Sequence, residues 1–218
     1  MSARHIVFID SGVQDAALLA LGAAPGVQAV VLAGGQDGVA GIADWLTQHG
    51  AHDLASIAIV AHGANGLLLL GSAALEIPTI ARYQDELARI GSALAPDGDI
   101  LLYGCDVAQN SSGVAFIEQL AAATGGANIA AASHMIGASE QGGSFELDIN
   151  YGFVDSGSPF TPLAQANFSD VLPTAINQLY YTTTGADGNT LPARRVAQIG
   201  VSGTIQTGGS VTLRDSSQ

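Results

Sequence analysis

The chain has 218 residues, room for one α/β domain with a sizeable core plus a smaller appendage, and 48% of them are apolar against 11% charged, which excludes a disordered or coiled-coil protein. A net charge of −13 with a pI near 4.3 excludes the basic surface that nucleic-acid phosphates and anionic membranes require. All six basic residues are arginines (Arg4, Arg82, Arg89, Arg194, Arg195 and Arg214), so neither the lysine of a phosphate-binding P-loop nor that of a pyridoxal Schiff base is present.

An apolar run over 6–9, stopped by Asp10-Ser11-Gly12, predicts a first strand with a polar carboxyl end. A helical fragment over 18–21 and a second strand over 27–32 follow, then a helix over 39–49 whose Ile42, Trp45 and Leu46 form one apolar stripe. The glycine run before that helix, GGQDGVAG, lacks dinucleotide-binding spacing and reads as turn and helix-start chemistry. His49, His52 and Asp53 crowd around Gly50, where a loop rather than a metal site is expected. A third strand over 56–61 runs into His62-Gly63, a small hairpin occupies 63–71, and a helix is predicted over 79–94. Pro96-Asp97-Gly98 breaks it, and a fourth strand over 100–103 leads through Gly104 to Cys105. A helix over 113–123, capped from 110–112, precedes a fifth strand over 128–132 and an edge strand over 144–149. Strands interleaved with helices imply a three-layer sandwich with a mostly parallel sheet. This domain is expected over 4–155, with 156–218, rich in Ser, Pro, Gly and Thr, as a linker or tail that packs on the domain or leads to a further β domain.

Two strands therefore deliver an imidazole and the chain's one cysteine to the carboxyl edge of a sheet, where ligands gather in open α/β folds. One cysteine also excludes an intrachain disulfide, no run approaches the length of a membrane span, and the start lacks the basic-then-apolar pattern of a signal peptide. For Cys105 the plain alternative is a small buried hydrophobe, and for His62 a hydrogen-bonded edge histidine. His134, which also ends a strand, is the rival base, and Asp106 beside the thiol would raise its pKa. A serine hydrolase is disfavoured because no G-x-S-x-G is present.

FIDSGV (8–13), AHGANG (61–66), LLLLG (67–71), LLYGCDVA (101–108) and GGSFELD (142–148) together resemble the caspase-like His/Cys-dyad cysteine peptidases. Within that group they resemble most closely the caspase-like domain near the amino terminus of very large bacterial cadherin-type and calcium-repeat adhesins. The resemblance implies a caspase-like fold and a cysteine endopeptidase in which Cys105 attacks a peptide carbonyl and His62 shuttles the proton. The N–H groups of Gly63 and Cys105 would then form the oxyanion hole, with no cofactor. It implies a pocket lined by the loop after the first strand, so that Asp10, helped by Glu140, would favour a basic residue before the scissile bond. The paired Arg194-Arg195 of the tail is then a candidate self-cleavage site, at high effective concentration. The expected partner is a peptide or protein substrate, its own carboxyl-terminal tail included, at the cell surface or outside the cell as part of a larger protein. The alternative is a non-catalytic anchoring or partner-binding module of such an adhesin.

Overall fold

The computed structural model describes residues 4–172, 178–181 and 194–198. Its elements in order are β1 (His5–Ile9), α1 (Ala16–Leu21), β2 (Val27–Val31), α2 (Gly38–Gln48), β3 (Leu54–Val60), β4 (His62–Ala64), β5 (Leu67–Leu70), β6 (Ala73–Glu76), α3 (Ile77–Ile80), α4 (Gln84–Ser92), β7 (Leu94–Tyr103), α5 (Ser111–Ala123), β8 (Asn128–Ala131), β9 (Ile149–Tyr151), α6 (Pro162–Asn167), β10 (Gln178–Tyr181) and β11 (Arg194–Gln198). Six strands form one sheet in the order β2-β1-β3-β7-β8-β9, parallel throughout except for the antiparallel edge strand β9. Strands β4, β5 and β6 make a small antiparallel sheet, and β10 pairs with β11.

Because successive strand residues point to opposite faces, the apolar runs feed two cores. Ile6, Phe8, Ile57, Ile59, Ile100 and Leu102 face one side, where α2, α4 and α5 cover them with Ile42, Leu46, Leu87, Ile90, Phe116 and Leu120. Val7, Ile9, Ala58, Val60, Leu101 and Tyr103 face the other, under Leu19 of α1 and the stretch carrying Phe160, Phe168 and Leu172. The result is the expected three-layer α/β fold with a mostly parallel sheet. The chain steps outward from β1 to β2, then returns past β1 to β3, so α1 and α2 fall on opposite faces and the strand order reverses between β1 and β3.

Local chemistry explains where the elements depart from their expected bounds. Asp37 caps α2 by accepting from the N–H groups of Val39 and Ala40, so the glycine run before it is helix-start chemistry. Pro78 and a Glu76–Thr79 capping box start α3 early, and a 3-10 turn at Ala81–Tyr83 divides it from α4 where one helix is expected. Strand β7 begins at Leu94, before Pro96-Asp97-Gly98, which it absorbs as a bulge with Asp97 at φ 62°. The edge strand is 149–151 rather than 144–149, because the Asp148 carboxylate accepts from the N–H and the hydroxyl of Ser133 at 2.8 and 2.5 Å and draws the preceding residues over the end of β8.

The α/β body does not end at Asp155. The buried Asp99 carboxylate, at the amino end of the sheet, accepts from the N–H groups of Asp155 and Ser156 at 3.3 and 2.9 Å. From there residues 156–172 cross the second face, burying Phe160, Phe168 and Leu172. Among the described residues no helix is long and apolar enough to cross a membrane.

Candidate active site

Three loops meet at the carboxyl edge because three neighbouring strands, β1, β3 and β7, end there one or two residues before Asp10, His62 and Cys105. The Ala61 N–H donates to the Tyr103 carbonyl at 3.1 Å, so the pairing of β3 with β7 persists to the residue before His62. His62 opens β4 two residues after β3 ends, and Cys105 lies in the turn two residues after β7 ends, so both stand just past the carboxyl ends of adjacent strands. A Cβ on Gly63 would lie 2.9 Å from the Cys105 carbonyl oxygen, 3.1 Å from its nitrogen and 2.8 Å from Val107 Cγ2. Only glycine lets β4 pass this close to the cysteine.

His62 is buried, with Nε2 3.0 Å from the Gly12 carbonyl. A carbonyl only accepts, so Nε2 carries hydrogen, and in the neutral ring Nδ1 keeps the lone pair and is the basic nitrogen. The loop bearing that carbonyl is fixed in turn by the buried Asp10, which accepts from the Gly12 N–H at 2.6 Å and from the Gly71 N–H. Asp10 thus spends its carboxylate on the main chain of the protein, which corrects the expectation that it faces a basic substrate side chain.

Cys105 is fully buried, as the plain alternative of a small buried hydrophobe requires. Its sulfur accepts from the Ile136 N–H at 3.2 Å and donates to the Leu172 carbonyl at 2.6 Å. Burial pushes the thiol pKa up to about 11; the Ile136 N–H offsets part of this and the charge of Asp106 adds to it. The thiol is therefore protonated at neutral pH. Asp106 takes a left-handed φ of 58° and accepts from Gln109 Nε2 at 3.1 Å, while its N–H donates to the His134 carbonyl.

The rival base His134 points elsewhere, with Nδ1 3.0 Å from the Met135 carbonyl and Nε2 3.7 Å from Asp148. Glu140 is exposed in the 3-10 turn Ser139–Gln141, a short way along the chain from the residues that cover the sulfur. Arg194 and Arg195 open β11, but their side chains lie outside the described ones. His49 and His52 contact the local carbonyls of Trp45 and Gly50, and among the described residues no cluster of His, Cys, Asp and Glu could hold a metal.

The sequence model of a family, Domain of unknown function (DUF4347), matches residues 6–172. The chain belongs to the DUF4347 family. No curated protein matches it and no solved structure does. The DUF4347 span opens inside β1 and closes on Leu172, so it takes in the three loop ends and also the segment folded over the sulfur. A tail packed on the domain is one of the sequence alternatives, but the contacts at the site are not legible, because Gly12, Gly71, Ile136 and Leu172 act through main-chain atoms, which leave no residue-type signature. The apolar Phe160, Phe168, Val171 and Leu172, set in an otherwise polar stretch, were the available signal.

Proposed function

We propose that this chain is a cysteine endopeptidase of caspase-like type, with Cys105 as nucleophile and His62 as general base and acid. One observation carries the reading: imidazole and thiol stand just past the ends of adjacent parallel strands, with Gly63 lying against the Cys105 main chain and His62 Nε2 anchored to the Gly12 carbonyl so that Nδ1 is the basic nitrogen. In the reaction His62 takes the thiol proton and Cys105 Sγ bonds to the peptide carbonyl carbon. The oxyanion is met by the N–H groups of Gly63 and Cys105, where losing one donor typically costs about 3 kcal/mol of transition-state stabilisation. The C–N bond breaks as His62 returns the proton to the leaving amine, giving a thioester and a free amino terminus. Water, deprotonated by His62, then displaces the sulfur, releasing the acid and the thiol. The substrate is a peptide or protein segment, the chain's own Arg194-Arg195 stretch among the candidates, and the setting is the cell surface within a larger protein.

The complete burial of Cys105 and its high pKa favour a second reading, a non-catalytic anchoring or partner-binding module of the same fold. Incubation of the full chain alone and with a denatured protein substrate, beside Cys105→Ser and His62→Ala, separates the two when new termini are mapped by mass spectrometry. Cleavage present in the wild type and lost in both variants supports the peptidase. Termini that arise equally in all three remove it.

A further inference from the structure

We propose that residues 156–172 form an autoinhibitory strap, rooted at the amino end of the sheet and detachable at the end that covers the Cys105 thiol. The inhibitory consequence rests on the peptidase reading; the strap itself does not. The root is firm. Asp99 holds the N–H groups of Asp155 and Ser156, Ala24 and Thr161 exchange main-chain bonds with Pro159 and Gly22, and Phe160 packs edge-on against Tyr103 and Phe145. The middle is exposed: α6 buries none of its residues, Leu163 is 70% exposed, and Ala164 is the one of its side chains packed against the second core.

The far end lies as an antiparallel segment on 136–138. The Ala138 N–H donates to the Asp170 carbonyl and the Leu172 N–H to the Ile136 carbonyl, both at 2.8 Å, and Gly137 bridges to Val171. Gly137 is required for this approach: at φ 138°, a Cβ there would come within 2.4 Å of the Asp170 carbonyl oxygen and 2.6 Å of Val171 Cα. Leu172 and Phe168 are buried beside the sulfur's cluster, and the Leu172 carbonyl takes the thiol hydrogen. That carbonyl meets Sγ through its oxygen, whereas attack needs its carbon, with the oxygen turned to the Gly63 and Cys105 N–H groups. The segment therefore occludes the nucleophile and is not poised to be cut. Lifting 168–172 exposes the thiol, removes the nearer of its two carbonyl acceptors, with the Ile136 carbonyl at 3.9 Å remaining, and leaves the sheet and the His62 anchor intact.

The test is the rate of iodoacetamide labelling of Cys105 at pH 8 in the full chain, read by intact mass for the wild type, Leu172→Glu, Gly137→Ala and Ile42→Ala. Leu172→Glu drives a carboxylate into the apolar cluster, Gly137→Ala pushes the segment away sterically, and Ile42→Ala weakens the core on the opposite face without touching the strap. Slow labelling of the wild type and labelling about ten- to a hundred-fold faster in the two strap variants are expected, the factor that losing one buried leucine gives a local opening equilibrium. Hydrogen exchange of the unmodified chain is the companion measurement, with the Leu172 and Ala138 amides exchanging faster than those of β3. Wild-type labelling as fast as that of an unfolded cysteine, unchanged labelling in folded strap variants, or equal acceleration by Ile42→Ala would overturn the strap. Should the strap variants not fold, strap amides that exchange no faster than β3 would overturn it. A strap variant that labels fast yet cleaves nothing removes the peptidase reading and leaves the strap standing.

Discussion

A buried thiol that both accepts and donates is harder to remove than a buried methyl group. Cys105→Ala leaves the Ile136 N–H and the Leu172 carbonyl without their partner, at a cost of about 1–3 kcal/mol, whereas Cys105→Ser keeps both bonds and is the better inactive variant. Urea denaturation of the two checks this. The raised thiol pKa adds a pH dependence of definite sign. Between the ordinary value near 9 and the folded value of about 11 the folded chain holds a proton that the unfolded chain releases. This contribution to stability is complete below pH 9 and lost as the pH rises through 11, up to about 3 kcal/mol. Burial raises Tyr83 and Tyr103 as well, so an alkaline loss that is larger in the wild type than in Cys105→Ser is the expected result. Asp10 acts one step behind His62. Asp10→Ala strips the acceptor from two main-chain N–H groups and frees the loop that anchors His62, so a loss of about 2–4 kcal/mol is expected in the same denaturation assay.

At the scale of elements, the site depends on how closely β4 can lie against the end of β7. Gly63→Ala would force Cβ into the Cys105 main chain and Val107, neither of which is the far end of a flexible side chain. A destabilisation of about 1–3 kcal/mol is expected, measured by thermal unfolding, since β4 and the turn at Cys105 must separate. These strand ends were legible in the sequence because each apolar run stops at a residue that cannot continue it: Asp10-Ser11-Gly12, His62-Gly63, Gly104-Cys105. Parallel strands ending in this way share one edge, so the meeting of His62 and Cys105 on one edge follows from pattern alone. The burial of Cys105 does not follow from it. What covers the sulfur comes from residues 31 and 67 positions later, joined through main-chain atoms that no side-chain pattern announces. The same holds for Asp10, whose residue type is equally suited to a salt bridge with substrate and to the turn it closes.

For the molecule as a whole, the question is where the folding unit ends. The shift to Ser, Pro, Gly and Thr after Asp155 leaves open a linker or a tail packed on the domain, because Pro159 and Pro162 interrupt any regular element that Phe160, Phe168 and Leu172 could share. Their partners are not one another along a helix but the second face of the sheet, where Phe145 meets Phe160 and Phe168 edge-on at centroid distances of 6.0 and 5.6 Å. Without them Leu101, Tyr103 and Cys105 would lie open to water. Burying the three side chains contributes about 5–9 kcal/mol as an upper estimate, as much as a typical domain's whole margin of about 5–15 kcal/mol. The family span, 6–172, takes in all three of these side chains. A chain ended after Leu172 is therefore expected to melt at the temperature of the full chain. One ended after Asp155 should lose cooperative melting and bind a hydrophobic dye, and a sharp transition at the full-chain temperature in that shorter chain would show that the sheet does not need its second cover.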